Sequence, residues 1–481
     1  MIKTNCNLLV IFGATGDLAR RKLFPALNDI ISSKKLPKNT YLLGCGRKEI
    51  DNNIFNSLDI NLKNKSTYLK IDPNFYEDFR NLKNKIESYN IKFEIVNVIF
   101  YLSTPPQAYI NIINKLAKVN LNNESSGFRR LVIEKPFGKD FESAKEINKL
   151  LINKFNENQI YRIDHYLGKE TVQNILVSRF SNPIFNSLWK NKHISHIEIT
   201  AAESIGIENR GEYYDKAGAI RDMFQNHLLE LLCLISMEIP KSNTSDMIRD
   251  EKLKVLKKIK KINTKTDIIR GQYIKSEING RKFSSYRKNK GVNKVSNTET
   301  FFACKLFIDN KRWRNIPFFI RTGKRLPTKV TEIVIHFKNN NSFFKDKKSS
   351  TNVLILRLQP DEGILLKFDI KKPGDKTKIL NKNLEFHYKS LTNEQIMNAY
   401  ERLILDVFIG DTMLFARSDF VEEAWKVVDP IIRDIKSNKI NLLGYKSGTW
   451  GPEESNNLFR NKNTWRYPCK NLINDGESCL L

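Results

Sequence analysis

The stretch YRIDHYLGKE (161–170) places an acid, a histidine and a lysine in close succession. If YRID ends a strand, the side chains of Asp164 and His165 point to opposite faces, which argues against a hydrogen bond between them. If a helix begins near Gly168, His165 and Lys169 fall on one side of it. A histidine, a lysine and a helix N-terminus together suit a phosphate group. The alternative is an ordinary helix start that binds no ligand.

A second histidine lies in YYDKAGAIRDMFQNHLLELLCLI (213–235), part of a long helix predicted over roughly 211–237. Apolar residues recur there at helical spacing, and His227 belongs to their stripe, which predicts a buried side chain. Such a histidine is usually a core residue with satisfied hydrogen bonds. A buried imidazole held by a carboxylate is also a good general base near neutral pH, and Asp164 is a candidate for that carboxylate. The pattern leaves both interpretations open.

The glycines of GATGDLA (13–19) follow the apolar run LLVIF (8–12) and precede a predicted helix. Glycine allows the backbone to approach a phosphate closely, and the first N–H groups of a helix can bind it. Because the motif is GxxG rather than GxGxxG, a tight turn without a ligand is the alternative. The next predicted strand ends at Arg47, and a cation there favours the 2′-phosphate of NADP. NAD stays open as a weaker alternative.

Two patterns of elements must position these residues. Up to about residue 165, short apolar runs alternate with helix-like segments, which predicts parallel βαβ units. Farther along, apolar runs follow one another across short polar turns, which predicts a mostly antiparallel sheet with strands over 301–308, 317–323, 331–338, 352–359, 363–370 and 384–388. Further helices are predicted over 17–31, 140–155, 393–411 and 419–436. The fold class is therefore α/β followed by α+β.

The chain has 481 residues and a formal net charge of +28 at pH 7. Its length predicts two or three domains. The charge admits a nucleic-acid-binding protein as an alternative of a different class. However, the basic residues are spread along the chain, and we find no RNP-like, helix-turn-helix or zinc-finger signature. We therefore predict no nucleic-acid partner.

The six cysteines are scattered, without a CxxC pair or a histidine at metal-ligand spacing. This pattern predicts reduced thiols in a cytoplasmic protein and no metal site. The apolar run near the N-terminus is too short for a signal peptide. The apolar stretches also fall short of the roughly 20 residues that a membrane span needs, so we predict no membrane partner.

Five motifs are similar to those of the glucose-6-phosphate 1-dehydrogenase family and occur in that family's order. They are GATGDLARRK (13–22), EKPFGKD (134–140), RIDHYLGKE (162–170), YYDKAGAIRDMFQNHLLE (213–230) and RTGKRLPTK (321–329). The resemblance covers the chain from residue 8 to about 460, and RIDHYLGKE is highly specific to the family. A sister oxidoreductase acting on other sugars is a further alternative, but it would lack the pairing of RIDHYLGK with QNH.

The resemblance implies a Rossmann-like dinucleotide-binding domain over 1–165. It also implies a larger α+β domain over 166–481, built on a mostly antiparallel sheet, for substrate binding and oligomerisation. The implied assembly is a homodimer or homotetramer. The implied reaction oxidises D-glucose 6-phosphate at its C1 hydroxyl, with NADP+, and gives 6-phospho-D-glucono-1,5-lactone. This reaction is the first step of the oxidative pentose phosphate pathway.

The resemblance also implies individual roles. His227 matches the general base, and Asp164 matches the carboxylate that orients it. The implied substrate ligands are Lys135, His165, Tyr166, Lys169, Glu203, Asp222, Lys324 and Lys329. The implied cofactor residues are Gly13, Thr15, Gly16, Asp17, Leu18, Arg47 and Lys135. Pro136 is implied to follow a cis peptide bond.

Overall fold

The computed structural model describes residues 5–51, 62, 65–278, 280–338, 351–375, 378–392, 396–459, 464–470 and 472. The chain divides into two compact units. The first comprises Met1–Lys169, Lys241–Arg249 and Met397–Glu422, and the second comprises Glu170–Pro240, Asp250–Ile396 and Glu423–Leu481. Each unit contains one large sheet.

The sheet of the first unit has seven strands: β1 (Cys6–Phe12), β2 (Thr40–Gly46), β3 (Ser66–Lys70), β4 (Val96–Leu102), β5 (Arg129–Glu134), β6 (Ile160–Ile163) and β17 (Phe415–Ala416). Their order is β17-β6-β5-β4-β1-β2-β3, and only β17 runs antiparallel to its neighbour. The central strands are buried, so they read as continuous apolar runs in the sequence. The predicted Rossmann-like parallel sheet is confirmed.

The helices of this unit include Phe24–Ser32, Tyr76–Asn90, Tyr109–Lys118, Phe141–Ile152 and Ala399–Ile409. The helix predicted over 17–31 contains a π-helical segment, Ala19–Leu23, before the α-helix. Asp140 caps the helix predicted over 140–155, because its carboxylate accepts a hydrogen bond from the N–H of Ser143 at 3.0 Å. The helix predicted over 393–411 would begin with residues 393–395. These lie outside the described residues.

The second unit contains a nine-stranded sheet. Its strands are β7 (Ile194–Ala202), β8 (Ile268–Ile274), β11 (Phe301–Phe307), β12 (Pro317–Gly323), β13 (Val330–Phe337), β14 (Val353–Gln359), β15 (Gly363–Lys371), β16 (Ile379–His387) and β18 (Leu442–Lys446). The order is β16-β15-β14-β13-β7-β12-β11-β8-β18. The pairs β7–β12 and β8–β18 are parallel and the others are antiparallel. The predicted mostly antiparallel sheet is confirmed. A separate hairpin joins β9 (Ser276–Ile278) to β10 (Arg281–Phe283).

The helices of the second unit include Glu170–Phe180, Pro183–Leu188, Gly211–Ala219 and Leu229–Ser236, with a π-helical segment, Ile220–Leu228, before the last of these. The helix predicted over 211–237 is thus interrupted, and Gly218 breaks it with a φ of 65°. Two further helices, Ser245–Lys257 and Ser418–Lys436, have residues in both units. The second of these matches the helix predicted over 419–436.

The cysteines follow the prediction only in part. Cys6, Cys45, Cys233 and Cys304 are buried free thiols. Cys469 is disulfide-bonded, so the prediction of reduced thiols is wrong at that position. Cys479 lies outside the described residues. In the part of the chain that the structure describes, no helix combines the length and the apolar character needed to cross a bilayer.

Candidate active site

The glycine turn of the first unit follows β1 directly. Gly13 has a φ of 81°, and a Cβ atom there would lie 2.4 Å from the carbonyl oxygen of Ser103. The Gly13 carbonyl oxygen accepts a hydrogen bond from the N–H of Gly16 at 2.9 Å. The positive φ and the close approach both require glycine at position 13. The turn therefore has the tight strand-to-helix geometry that suits a phosphate at a helix N-terminus.

A pocket of about 440 Å³ lies beside this turn. It lies beyond the carboxyl ends of β1, β2 and β4, where the strand order reverses around β1 and where parallel α/β sheets bind ligands. The predicted residues that line it are Gly13, Thr15, Gly16 and Arg47. Lining residues that the sequence analysis did not identify include Asp72, Ser103, Thr104 and Asn111.

Asp17 and Leu18 are not among the described residues that line this pocket. The exposed carboxylate of Asp17 lies 2.7 Å from Nε of Arg21, one helical turn farther on. The structure thus gives no side-chain contact between these two predicted residues and the pocket. Their positions at the start of the helix leave their backbone groups as the candidates for cofactor binding.

Two charged residues of opposite sign stand at the pocket. Arg47 follows β2 and is exposed. Asp72 follows β3, and its Oδ1 accepts a hydrogen bond from the N–H of Asn74 at 2.9 Å. The sequence analysis missed Asp72 because it did not predict β3.

Asp164 follows β6 and begins a turn instead of extending the strand. Its side chain is 3% exposed, and its Oδ1 accepts a hydrogen bond from the N–H of Tyr166 at 2.9 Å. Because the strand has ended, its alternation does not separate the side chains of Asp164 and His165. A carboxylate oxygen of Asp164 and a ring nitrogen of His165 lie within 4.8 Å of each other, so the predicted divergence is wrong.

The same turn carries three residues expected to bind phosphate. The Nζ of Lys169 lies 4.7 Å from the ring centroid of Tyr166. The His165 ring is parallel to that of Tyr400, with 6.3 Å between centroids. The helix predicted to begin near Gly168 begins at Glu170, so His165 and Lys169 lie in the turn that precedes it. The turn, and not a helix, arranges these side chains.

Glu134 ends β5, immediately before Lys135. The hydroxyl of Tyr101 donates a hydrogen bond to Glu134 Oε1 at 2.6 Å, and that of Tyr109 donates to the Glu134 carbonyl oxygen at 3.1 Å. Burial raises the pKa of Glu134 to about 7, although Tyr101 and Lys135 act in the opposite direction. Lys135 is half-buried, and the Lys135–Pro136 peptide bond is cis, as expected.

In the second unit, Glu203 follows β7 and Lys324 follows β12. These strands are parallel neighbours, and Ala202 pairs with Gly323 at their ends. Both residues therefore leave the sheet at the same edge. Their side chains form an ion pair, in which Lys324 is 6% exposed.

Asp222 joins this pair. Its Oδ2 lies 3.9 Å from Nζ of Lys324, and its side chain is buried. The hydroxyl of Tyr213 donates a hydrogen bond to Asp222 Oδ1 at 3.3 Å, and Nη2 of Arg210 lies 3.9 Å from the same oxygen. The predicted residues Glu203, Asp222 and Lys324 thus form one cluster of donors and acceptors, which suits sugar hydroxyls. Sequence analysis missed Arg210 and Tyr213.

Lys329 is exposed, immediately before β13. The first residue of β13, Val330, pairs with Ala202 of β7. The backbone of Lys329 therefore lies at the same edge of the sheet as Glu203.

His227 is 1% exposed and lies within the π-helical segment, so its predicted burial is confirmed. That segment begins after the break at Gly218. A Cβ atom on Gly218 would lie 2.2 Å from the Oε1 of Glu299, and this same oxygen accepts a hydrogen bond from the N–H of Ile220 at 3.1 Å. Glu299 thus holds the start of the segment that carries Asp222 and His227. The sequence around Glu299 offered no signal for this role.

Comparison with known families covers nearly the whole chain. The NAD binding domain of glucose-6-phosphate dehydrogenase matches residues 10–174, and the C-terminal domain of the same enzyme matches residues 176–466. The chain belongs to the glucose-6-phosphate dehydrogenase family. The two matches are adjacent and in the order expected for that family.

Relatives within the glucose-6-phosphate dehydrogenase family are similar to the chain over nearly its whole length. The glucose-6-phosphate 1-dehydrogenase of Treponema pallidum (strain Nichols) is 42% identical over 503 residues, covering 99% of this chain and 98% of that protein. That of Buchnera aphidicola subsp. Schizaphis graminum (strain Sg) is 43% identical over 484 residues, covering 95% and 98%. A solved glucose-6-phosphate dehydrogenase in complex with its substrate glucose-6-phosphate is 34% identical, with a TM-score of 0.88, covering 94% of this chain and 96% of that one.

Proposed function

We propose that the protein oxidises D-glucose 6-phosphate to 6-phospho-D-glucono-1,5-lactone and transfers the C1 hydride to NADP+. The observation that carries this proposal is the identity of 42% with a glucose-6-phosphate 1-dehydrogenase over 99% of the chain. The protein is thus an NADP-dependent oxidoreductase of glucose metabolism. The reaction is the first step of the oxidative pentose phosphate pathway.

His227 is the proposed general base. The C1 hydroxyl must lose its proton as the hydride departs, and an imidazole can accept that proton at neutral pH. The burial of His227 keeps bulk water from competing for this role. Asp164 is the proposed carboxylate that orients the imidazole and stabilises its protonated form. Its own burial and its hydrogen bond from the N–H of Tyr166 support a fixed orientation for the carboxylate.

The proposed phosphate ligands are His165, Tyr166 and Lys169. The ammonium of Lys169 lies next to the Tyr166 ring, which limits the positions that this flexible side chain can take. A cation, an imidazole and a phenol supply donors for the oxygens of a sugar phosphate.

The proposed ligands of the sugar hydroxyls are Glu203, Asp222, Lys324 and Lys329. Carboxylates accept hydrogen bonds from hydroxyl groups, and the Lys324 ammonium donates to hydroxyl oxygens. The cluster of Glu203, Asp222 and Lys324 supports this assignment because the three groups converge in one place. Lys135 is the proposed contact to both the sugar and the cofactor.

NADP+, when bound, accepts the hydride. The residues around the glycine turn fit its phosphates, because the positive φ of Gly13 and its close approach to the Ser103 backbone allow a tight turn into the helix N-terminus. Gly13, Thr15 and Gly16, together with the backbone of Asp17 and Leu18, are the proposed phosphate contacts. The exposed guanidinium of Arg47 is the proposed partner of the 2′-phosphate. NAD is the weaker alternative.

The proposed dinucleotide-binding domain is 1–165, and the proposed domain for substrate binding and oligomerisation is 166–481. The assembly is a homodimer or homotetramer, formed through the larger sheet. Its edge strand β16 exposes Leu384 and Phe386, which share one face of the strand, and this supports the assignment. The proposed location is the cytoplasm.

The experiment that tests the activity follows the absorbance of reduced nicotinamide. Purified full-length protein is given either glucose 6-phosphate or glucose, with either NADP+ or NAD+. We expect the fastest reduction with glucose 6-phosphate and NADP+. Absence of reduction with glucose 6-phosphate and both cofactors, in a protein shown to be folded, would contradict the proposal.

A further inference from the structure

Three side chains that the proposed reaction does not use meet on the larger sheet. His196 and Glu198 point to the same face of β7, because side chains alternate along a strand. The antiparallel neighbour β13 places His336 opposite His196 and Val334 opposite Glu198. Directly opposed residues share a face, so the register brings two imidazoles and one carboxylate together.

The potential ligand atoms of this cluster all lie within 4.8 Å of one another. Nε2 of His336 lies 2.8 Å from Oε1 of Glu198, and Nε2 of His196 lies 3.7 Å from the same oxygen. The two imidazole rings stack with 4.0 Å between centroids and 12° between planes. Two ligands of one tetrahedral zinc ion stand about 3.3 Å apart, which lies between the two observed distances.

The 2.8 Å contact has the length of an ion pair but poor hydrogen-bond geometry. Neither Nε2 of His336 nor Oε1 of Glu198 has a hydrogen-bond partner with acceptable geometry, although both atoms are shielded from solvent. Glu198 is 1% exposed. Its other carboxylate oxygen accepts a hydrogen bond from the N–H of Arg466 at 3.0 Å, which fixes the orientation of the group. The unsatisfied atoms therefore face each other, as ligand atoms around a cation do.

The surroundings hold the imidazoles in place. The hydroxyl of Ser195 lies 3.2 Å from Nδ1 of His196, and such a contact to the second ring nitrogen is usual for metal-binding histidines. The rings of Phe319 and Phe459 meet His196 edge-on, with 5.8 Å and 6.0 Å between centroids. They form an apolar wall that limits access of water.

A neighbouring charge opposes the binding of a cation at this cluster. The guanidinium of Arg321 interacts electrostatically with Glu198 and opposes a cation. We therefore expect weaker binding than in a site with four protein ligands.

We propose that His196, Glu198 and His336 bind one divalent transition-metal ion, with zinc as the best match. Two imidazoles and one carboxylate are a ligand set that zinc accepts, with a fourth position left for water. Glu198 and Glu203 are five residues apart along an extended chain, or roughly 16 Å. The ion would therefore link β7 to β13 away from the proposed sugar ligands, and would stabilise the sheet without taking part in the reaction.

The test is calorimetric titration of metal-free, tag-free protein with Zn²⁺. We expect one ion per chain and a rise in melting temperature on binding. His336→Gln should weaken the affinity by at least about 10–100-fold, because it removes one of three ligands. The matched control is His387→Gln, since among the described residues His387 pairs with a single carboxylate, Asp361, at 3.0 Å. The control should bind zinc as the wild type does, and kcat should stay unchanged in both variants.

Either of two titration results would overturn the proposal: no stoichiometric binding by the wild type, or unchanged affinity in His336→Gln. The latter would place the ion at other ligands, such as His165 or His227. If His336→Gln does not fold, anomalous diffraction at the zinc edge decides the question with wild-type crystals. A peak between the three side chains supports the site, and a peak elsewhere or none refutes it.

Discussion

Lys324 forms an ion pair with Glu203 because the parallel strands β7 and β12 end side by side. The same ammonium lies 3.9 Å from Oδ2 of Asp222. The buried ammonium of Lys324 thus interacts with two carboxylates, those of Glu203 and Asp222, which would otherwise repel each other. This arrangement leads to the first prediction.

Lys324→Met should destabilise the protein and impair substrate binding together. Loss of the cation removes a buried compensating charge from Asp222 and leaves beside it the more exposed guanidinium of Arg210, so we expect the free energy of unfolding to fall by about 2–4 kcal/mol. KM for glucose 6-phosphate should rise. Urea denaturation at pH 7 and steady-state kinetics measure the two effects. Lys329→Met is the control for stability, because Lys329 is exposed, and equal destabilisation of both variants would contradict the role of the buried pair.

His227→Asn should lower kcat by on the order of 10²–10⁴, because asparagine cannot accept the C1 proton. Asp164→Asn should also lower kcat, but by a smaller factor. If Asp164 acts only through His227, the double variant should be no slower than His227→Asn alone. Independent, multiplicative losses would show that Asp164 has a different role, and a near-normal kcat for His227→Asn would remove it from the mechanism.

Lys169→Ala should raise KM for glucose 6-phosphate and barely change the reaction with free glucose, because only the former has a phosphate for the ammonium to bind. Steady-state kinetics with both sugars measure this difference. Lys145→Ala is a matched control, since Lys145 also lies over an aromatic ring, that of Phe141, at 5.9 Å. Equal losses with both sugars would count against a phosphate ligand at position 169.

Arg47→Ala should weaken the binding of NADP+ much more than that of NAD+, because only NADP+ has a 2′-phosphate for the guanidinium to bind. KM values for the two cofactors measure the change in preference. Lys48→Ala is the control, because Lys48 is the next exposed cation and does not line the pocket. An unchanged preference in Arg47→Ala would refute the assignment.

Glu134 should make stability depend on pH. Its pKa is raised on folding from 4.5 to about 7, so its protonated form is favoured in the folded state, and stability is lost as the pH rises from about 4.5 through 7. The shift corresponds to about 3 kcal/mol at full ionisation. Glu134→Gln should flatten this part of the curve of unfolding free energy against pH. A curve that keeps the wild-type slope would show that other groups cause it.

The sequence predicted most strands of both sheets because they are apolar runs bounded by turn residues. PFFIRTG became β12 with the predicted bounds, and the run over 352–359 became β14 (Val353–Gln359). The sequence pattern did not predict β7, although this strand is central in its sheet. One face of β7 carries the buried polar residues His196, Glu198 and Thr200, which are paired within the protein and so do not show as an apolar pattern. Burial of a polar group depends on its partners, and those lie far away in the sequence.

The amino-acid sequence specifies the chemical groups that the protein carries and the local motifs that hold them, such as the glycine turn at Gly13 and the acid in RIDHYLGKE. These features are local, because backbone conformation and residue type specify them over a few positions. The convergence of groups that are distant in the sequence depends on the fold. The register of β7 with β12 joined Glu203 to Lys324, and its register with β13 joined Glu198 to His336. Register depends on pairing between segments more than a hundred residues apart, which no local pattern encodes.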